Sequence, residues 1–529
     1  MYHIVIETQE RRSSMNKLLD FKAKYLIFIF FIGNIFIRVP SITQNLPPYF
    51  FCDEELFSEE TFRMLQEKSY LQEMFKAGPV NIYPPLIIYK IYITFTNQAP
   101  SFNELLILGR IILPILASCF TILFLDKLSN LLFGQENLRP RLVIFSLFTF
   151  SPYIFSQSRM WYPDHYQFFI TTALTFYILK MYYEKISFKS VIPIIIFYAL
   201  LISTKYTGLF FGLPIFIAIL IKTFKEKTTL TIGLRNILSY LIFGAVVLLT
   251  INLSALVNFE KFLQDFVFNI NNYGGGFEFS IRGFHGFKYY IIFLFIIPFS
   301  IFSIYFLSLG ALDLIKRKKY FEIFLHVLIP FIICIYLGGF YLIMNRNINF
   351  LLISVLLLTT YGIEKSLNSV KFRKLNYSVI TLMFTFMLYS FVLTIIDDLK
   401  TDSRAVAESW MQENINFGTS TTFGTNEACS GDSPAAKIGE TIYDPNFDLG
   451  LDYYILNDYW SSKITNNNLR QNIFTVRNHK NDHFYYYLNL DLISNRHFAD
   501  VEKFNIPDGY EIIKTFDGNG PKIYILSKR

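Results

Sequence analysis

The stretch Pro84-Pro85-Leu86-Ile87-Ile88-Tyr89-Lys90-Ile91-Tyr92-Ile93-Thr94-Phe95 decides the architecture, because every later loop changes side according to whether this segment crosses a membrane. It is twelve residues long, whereas a helix needs about 20 to span the hydrocarbon core. It opens on two prolines and carries Lys90 near its middle, a charge that costs roughly 2.5–3.5 kcal/mol at the bilayer centre. The segment therefore reads as an interfacial or re-entrant helix that does not cross. On that reading the basic clusters share one side. They are Arg11/Arg12/Lys17/Lys22/Lys24, Lys127/Arg139/Arg141, Lys180/Lys185/Lys189, Lys222/Lys225/Lys227/Arg235, Lys316/Arg317/Lys318/Lys319 and Lys365/Lys371/Arg373/Lys374. Lys and Arg concentrate in cytoplasmic loops, so the N-terminus is expected inside.

The surrounding sequence demands a membrane. Of 529 residues 53% are hydrophobic and 17% charged, with 59 phenylalanines, too little polarity to cover a soluble fold of this length. Apolar runs cover Tyr25–Ile37, Leu105–Leu125, Leu142–Phe155, Phe168–Leu179, Val191–Ile202 and Gly208–Ile221, then Ile237–Leu256, Tyr289–Leu312, Phe324–Met344, Phe350–Gly362 and Val379–Ile396. These predict an all-α polytopic membrane protein of about eleven transmembrane helices plus interfacial helices. The first run lacks a small-residue cleavage site and reads as an uncleaved anchor. Residues 1–396 form the membrane domain, with a first outer loop over 39–104. Residues 397–529 form a small α/β extracytoplasmic domain, helical over Asp402–Gln412 and strand-like over Lys522–Leu526. The Phe-, Ile-, Asn- and Lys-rich composition fits an AT-rich microbial genome, and hence a plasma (inner) membrane. The net charge of +7 sits in short clusters between apolar runs, which points away from nucleic acid. Cys119 and Cys334 read as core residues. Cys52 and Cys429 fall outside and leave a disulfide open, and no metal-ligand spacing is present.

The outer loops hold the chemistry. Asp53-Glu54-Glu55 follows an aromatic stretch and precedes an expected amphipathic helix, Leu56–Phe75. Poorly solvated carboxylates hold protons more tightly, which suits a general base; a helix cap is the alternative. In Ser158-Arg159-Met160-Trp161-Tyr162-Pro163-Asp164-His165 the tight loop keeps Asp164 and His165 at the membrane surface, with helix capping and aromatic anchoring as the alternatives. Lys205, Arg282, His285 and Arg346 run against the inside-positive bias. An anionic ligand explains them, and so does snorkelling to headgroups. Gly274-Gly275-Gly276 lacks the strand–helix context of a nucleotide loop.

The order of Asp53-Glu54, Tyr83-Pro84-Pro85-Leu86, Tyr162-Pro163-Asp164 with Phe168-Phe169, Ser203-Thr204-Lys205-Tyr206-Thr207-Gly208 and Asn345-Arg346 resembles the GT-C type membrane glycosyltransferases. Asp402-Ser403-Arg404 and Trp410-Met411 continue the likeness. The nearest likeness is to the dolichyl-phosphate-mannose protein mannosyltransferases and the bacterial aminoarabinose transferase of lipid A (glycosyltransferase families 39 and 83). The resemblance implies a GT-C-like fold and an inverting hexosyl- or pentosyltransferase that uses a polyprenyl-phosphate sugar on the extracytoplasmic side. The acceptor would be a lipid, polysaccharide or protein hydroxyl. It implies Asp53 as catalytic base and Lys205 and Arg346 as contacts to the donor phosphate; beside it, the outer loops offer Asp164 to orient the acceptor or share the base role, and Glu54, Tyr83, His165 and Arg282 as further substrate-binding residues. Tyr83 departs from the lysine that several relatives carry, so Lys90 or Lys76 would take over that role. No cofactor is implied, and a carboxylate-bound divalent cation stays open. Two other classes remain: a flippase or transporter for a lipid-linked glycan, which would carry ionisable residues at mid-membrane, and a glycan polymerase or ligase, marked by a large late outer loop.

Overall fold

The computed structural model describes residues 21–42, 52–75, 78–98, 101–158, 161, 163–184, 186–225, 230–271, 287, 290–291, 294, 298–338, 345–370, 372–398, 403–415, 422–425, 433–444, 449–457, 509–516 and 523–529. Among its described residues the membrane part is mostly helical. It opens with α1 (21–38), α2 (Cys52–Gln66), α3 (Tyr83–Thr96), α4 (Phe102–Phe133), α5 (Leu138–Phe150) and α6 (Pro152–Gln157). It continues through α7 (Pro163–Tyr183), α8 (Phe188–Thr204), α9 (Tyr206–Lys225), α10 (Leu230–Ile251), α11 (Leu253–Val257) and α12 (Phe259–Asn271). The last four are α13 (Ser303–Lys316), α14 (Tyr320–Gly338), α15 (Leu352–Leu367) and α16 (Arg373–Asp398).

Among the described residues five helices are long and apolar enough to cross a membrane: Phe102–Phe133, Tyr206–Lys225, Tyr320–Gly338, Asn347–Leu367 and Arg373–Ile396. Phe188–Thr204 and Arg235–Ile251 are shorter apolar helices. The eleven expected are thus not confirmed among the described residues, and several of the apolar runs are interrupted or carry polar residues. The run Leu142–Phe155 breaks at Ser151-Pro152, where α5 ends and α6 starts with Ser151 as its N-cap. The run from Tyr289 is broken near Ser300, whose φ is 147°, and α13 starts only at Ser303. The α7 helix is 21 residues long but mostly buried, and its thread of Thr, Gln and His lowers its hydropathy. The proline-led helix α3 is 14 residues long, about 21 Å, and is not among the helices that qualify as spans. Its Lys90 ammonium lies 3.2 Å from the centre of the Tyr70 ring. The amphipathic helix expected through Phe75 stops at Gln66, and Lys68 then turns into the left-handed region at φ 53°.

Between helices, small residues set the closest contacts, since van der Waals packing replaces the hydrophobic drive inside lipid. A β-carbon on Gly310 of α13 would meet the Leu358 carbonyl oxygen at 2.1 Å, and one on Gly362 of α15 would meet the Phe306 carbonyl oxygen at 1.8 Å. These two glycines let the backbones of α13 and α15 touch. Around them runs the main core, which includes Phe145, Leu174, Leu314, Val355 and Met387. Cys119 and Cys334 are buried free thiols, as expected of core residues. The Cys52 and Cys429 side chains lie outside the described residues.

Beyond the membrane part, α17 (Ser403–Asn414) leads into β1 (Thr422–Thr425), β2 (Glu440–Tyr443), β3 (Tyr453–Asn457), β4 (Tyr510–Phe516) and β5 (Ile523–Lys528). The sheet order is β2-β1-β3-β5-β4, parallel across β2-β1-β3 and antiparallel from β3 through β5 to β4. Ala407 and Met411 of α17 pack with Phe423, Ile455 and Ile525 on one face of the sheet. Tyr454, Leu456 and Tyr524 cluster on the other. Strand alternation sorts neighbouring residues onto opposite faces.

Candidate active site

Three chain segments that the sequence singled out meet at one end of the helices. The turn joining α8 to α9 carries Lys205 in an extended conformation, φ −159° and ψ 137°, which ends the helix and projects the side chain. Lys205 Nζ donates to Asp164 Oδ1 at 2.6 Å and to Asn347 Oδ1 at 3.1 Å. Asp164 sits in the first turn of α7 and is 1% exposed, while Lys205 keeps 18%. The lysine side chain thus keeps some exposure while the carboxylate is buried. A buried carboxylate needs such a partner, since an unpaired one costs several kcal/mol. Asn347 is itself held by Tyr290, whose hydroxyl accepts from Nδ2 at 3.4 Å.

The first loop is fastened to this cluster by a second buried pair. Arg110 Nε and Nη2 donate to Glu54 Oε1 and Oε2 at 3.1 and 2.7 Å. Glu54 is 0% and Arg110 2% exposed. The fork-on-carboxylate geometry is the strong form of ion pair. Glu54 Oε1 also accepts from the Trp161 backbone N–H at 2.5 Å, and Arg110 Nη1 donates to the Ile42 carbonyl at 2.9 Å. Trp161 is fully buried rather than an interface anchor. Its indole Nε1 donates to the Asn81 carbonyl at 3.0 Å, and its ring lies over Gly109, where a β-carbon would come within 2.2 Å. Asn81 Nδ2 donates to the Gly78 and Thr204 carbonyls at 3.1 and 2.9 Å. Loop one, the Trp161 loop and the Lys205 turn are therefore one hydrogen-bonded body. Asp53 adjoins Glu54 in the first turn of α2, and Asp164 lies three residues beyond Trp161, so the backbone brings both to the same region.

The remaining expected site residues divide. Tyr83 donates its hydroxyl to the Tyr70 carbonyl at 2.8 Å and pairs with Ser254 Oγ at 2.6 Å, fixing loop one to α11. His165 Nε2 pairs with Ser118 Oγ at 2.7 Å inside the bundle. Arg346 lies in the 3-10 turn Asn345–Leu351, one residue before Asn347, and its side chain lies outside the described residues, as does that of Asp53. Arg282, His285, Lys76 and the glycine run 274–276 lie wholly outside them. Among the described residues no group of three or more His, Cys, Asp or Glu converges to hold a metal. Sequence reading missed Arg110, Asn81 and Asn347. Arg110 carried a readable signal, because an arginine inside an apolar run needs a buried partner.

The same loop carries further lacing. Glu60 Oε1 accepts from the Glu73 N–H at 2.6 Å, and Phe75 N–H donates to Asp265 Oδ2 of α12 at 2.8 Å. Gln72 N–H donates to Ser254 Oγ at 3.1 Å, and Asn258 Nδ2 donates to the Gln72 carbonyl at 3.0 Å. Residues 69–75 thus form a strap between α2 and α11–α12.

No protein-family model matches the sequence, and no curated protein matches it. Solved structures do. The archaeal oligosaccharyltransferase AglB from Archaeoglobus fulgidus, in complex with an inhibitory peptide and a dolichol-phosphate, aligns at 11% identity and TM-score 0.54, over 83% of this chain and 69% of that one. ArnT from Cupriavidus metallidurans, bound to undecaprenyl phosphate, aligns at 10% identity and TM-score 0.50, over 95% and 98%. The Archaeoglobus fulgidus oligosaccharyltransferase tethered to an acceptor peptide gives TM-score 0.52 at 10% identity, over 83% and 69%. Identity this low speaks for fold, and the likeness to ArnT runs nearly end to end: the chain is an integral membrane protein with the GT-C-type fold.

Proposed function

We propose that this chain is a glycosyltransferase that moves a sugar from a polyprenyl-phosphate donor to an acceptor hydroxyl at the extracytoplasmic membrane surface, with inversion. The observation that carries this reading is the Lys205–Asp164–Asn347 cluster, set at the helix ends of a GT-C-type fold and hydrogen-bonded through Trp161 and Asn81 to the loop that bears Asp53. Asp53 takes the acceptor hydroxyl proton while that oxygen attacks the anomeric carbon. The bond from that carbon to the phosphate oxygen breaks, and the polyprenyl phosphate leaves as an anion. The leaving group needs cations rather than an acid, and Lys205 with Arg346 supplies them. Asp164 holds the Lys205 ammonium in place and steers the acceptor. Two structural neighbours bound to dolichol-phosphate and undecaprenyl phosphate support the donor class.

The test is a detergent assay with purified protein, a panel of radiolabelled polyprenyl-phosphate sugars and a membrane acceptor extract, scored for product and free polyprenyl phosphate. Asp53→Asn abolishes transfer and leaves membrane insertion unchanged. Full activity in that variant rejects Asp53 as base. A flippase yields no product without a second compartment, so absence of transfer with every donor favours that class. A reporter fused to the C-terminus reads the side, and a cytoplasmic signal overturns the placement of donor and site together.

A further inference from the structure

At the far end of α7 and α8 from the Asp164–Lys205 cluster lies a cavity of about 310 Å³. It is lined by Ser187, Thr223, Asn236, Ser239 and Tyr240, which bring four hydroxyls and an amide, with Phe188 beside them. The 21 residues of α7 and 17 of α8 separate it from the cluster by about 25–30 Å, the thickness of a bilayer core. The cavity therefore opens at the opposite membrane surface, and the mechanism above does not use it.

Its surroundings fit a phosphate-bearing headgroup. Lys222 precedes Thr223, Arg235 precedes Asn236, and Lys189 follows Phe188 directly, so basic residues flank the lining on three helices. The α8 and α10 helices both begin at this end, which turns two positive dipole ends toward it. The flank is apolar and bare. Leu238, Leu241, Ile242, Val246 and Leu249 form one exposed stripe along α10, each between 48% and 60% accessible. The Phe188 ring stacks on Tyr240, another lining residue, with centroids 6.0 Å apart. A soluble phosphate would find no use for the stripe, whereas acyl chains would lie along it. Basic pockets between helices on the inner side are the recognised habitat of anionic headgroups.

We propose that the cavity between α8, α9 and α10 binds one anionic phospholipid by its headgroup, with the acyl chains on the α10 stripe, at the surface opposite the candidate active site.

Full-length protein in neutral detergent is incubated with equal phosphatidylglycerol and phosphatidylcholine, and retained lipid is counted by native mass spectrometry. Phosphatidylglycerol is expected to be retained at least fivefold over phosphatidylcholine. Arg235→Gln, an exposed change, lowers that retention about fivefold, the share of one cation near a charged surface. Ser239→Phe fills the cavity and removes it, with monodispersity checked by size exclusion. Millimolar inorganic phosphate leaves the retained lipid in place. Equal retention of the two lipids, or retention unchanged in both variants, overturns the proposal. Displacement by inorganic phosphate also overturns it, and assigns the cavity to a soluble phosphate.

Discussion

Replacing Arg110 with methionine tests whether the outer loop is held by its buried ion pair. The guanidinium makes two bonds to Glu54, at 3.1 and 2.7 Å, and a third to the Ile42 carbonyl at 2.9 Å. With charge centres about 4 Å apart and an effective dielectric near 20, the attraction is about 4 kcal/mol. Stranding one partner of a buried pair costs about 3–5 kcal/mol, so Arg110→Met should destabilise by that amount. Glu54→Gln keeps an acceptor for the Trp161 N–H while deleting the charge, and the double variant leaves no charge stranded. The cycle should give a coupling of about 2–3 kcal/mol. Denaturant unfolding read by tryptophan fluorescence suits the measurement. The chain has three tryptophans, and changing Trp410 and Trp460 to Phe leaves Trp161, which sits on the pair. Transfer activity should fall in Arg110→Met, because Asp53 loses its anchorage, and should return in part in the double variant. A loss below about 1 kcal/mol, or zero coupling, would refute the idea that this pair fastens the loop.

Lys205→Met strands Asp164 and should cost about 3–5 kcal/mol and lower transfer on the order of 100-fold or more; adding Asp164→Asn restores the melting profile without restoring transfer. Gly362→Ala places a methyl 1.8 Å from the Phe306 carbonyl oxygen and should cost at least about 2 kcal/mol as α13 and α15 part, read by the same denaturation. Tyr454 is held above its ordinary pKa, first by burial and then by its hydrogen bond to Asp444. Its contribution to the sheet is therefore complete below pH 10 and fades as pH rises beyond that value. Trp410 fluorescence should show an alkaline transition in the wild type that is weakened in Tyr454→Phe.

Much of the helical class could be read from the apolar runs, and Lys205 and Asp164 each stood out, the one as a rare cation on its side and the other as a carboxylate sharing a side with Asp53. Their contact could not be read, because 41 residues separate them and 142 separate Lys205 from Asn347. No periodicity reports such distances. Helix ends were least legible: Lys68 turns left-handed where composition still looked helical, and Ser151-Pro152 splits an apolar run. The final strand stood out by its Ile and Tyr content, whereas β1 and β2, four residues each, are too short to carry a pattern. Arg110 was overlooked because its run was read for hydropathy alone.

The wide turn of α4 at Ile111–Leu116 surrounds Pro114, whose ring would collide with the Arg110 carbonyl in a regular helix. A π turn adds one residue without adding a turn. Arg110 before it grips the outer loop, while Ser118 after it meets His165. A second residue inserted here would have to be taken up as regular helix and would rotate one half by about 100° against the other, so that whichever contact survived would do so at the expense of its counterpart. Insertions at Ile111–Leu116 should thus be far less tolerated than side-chain exchanges of similar bulk.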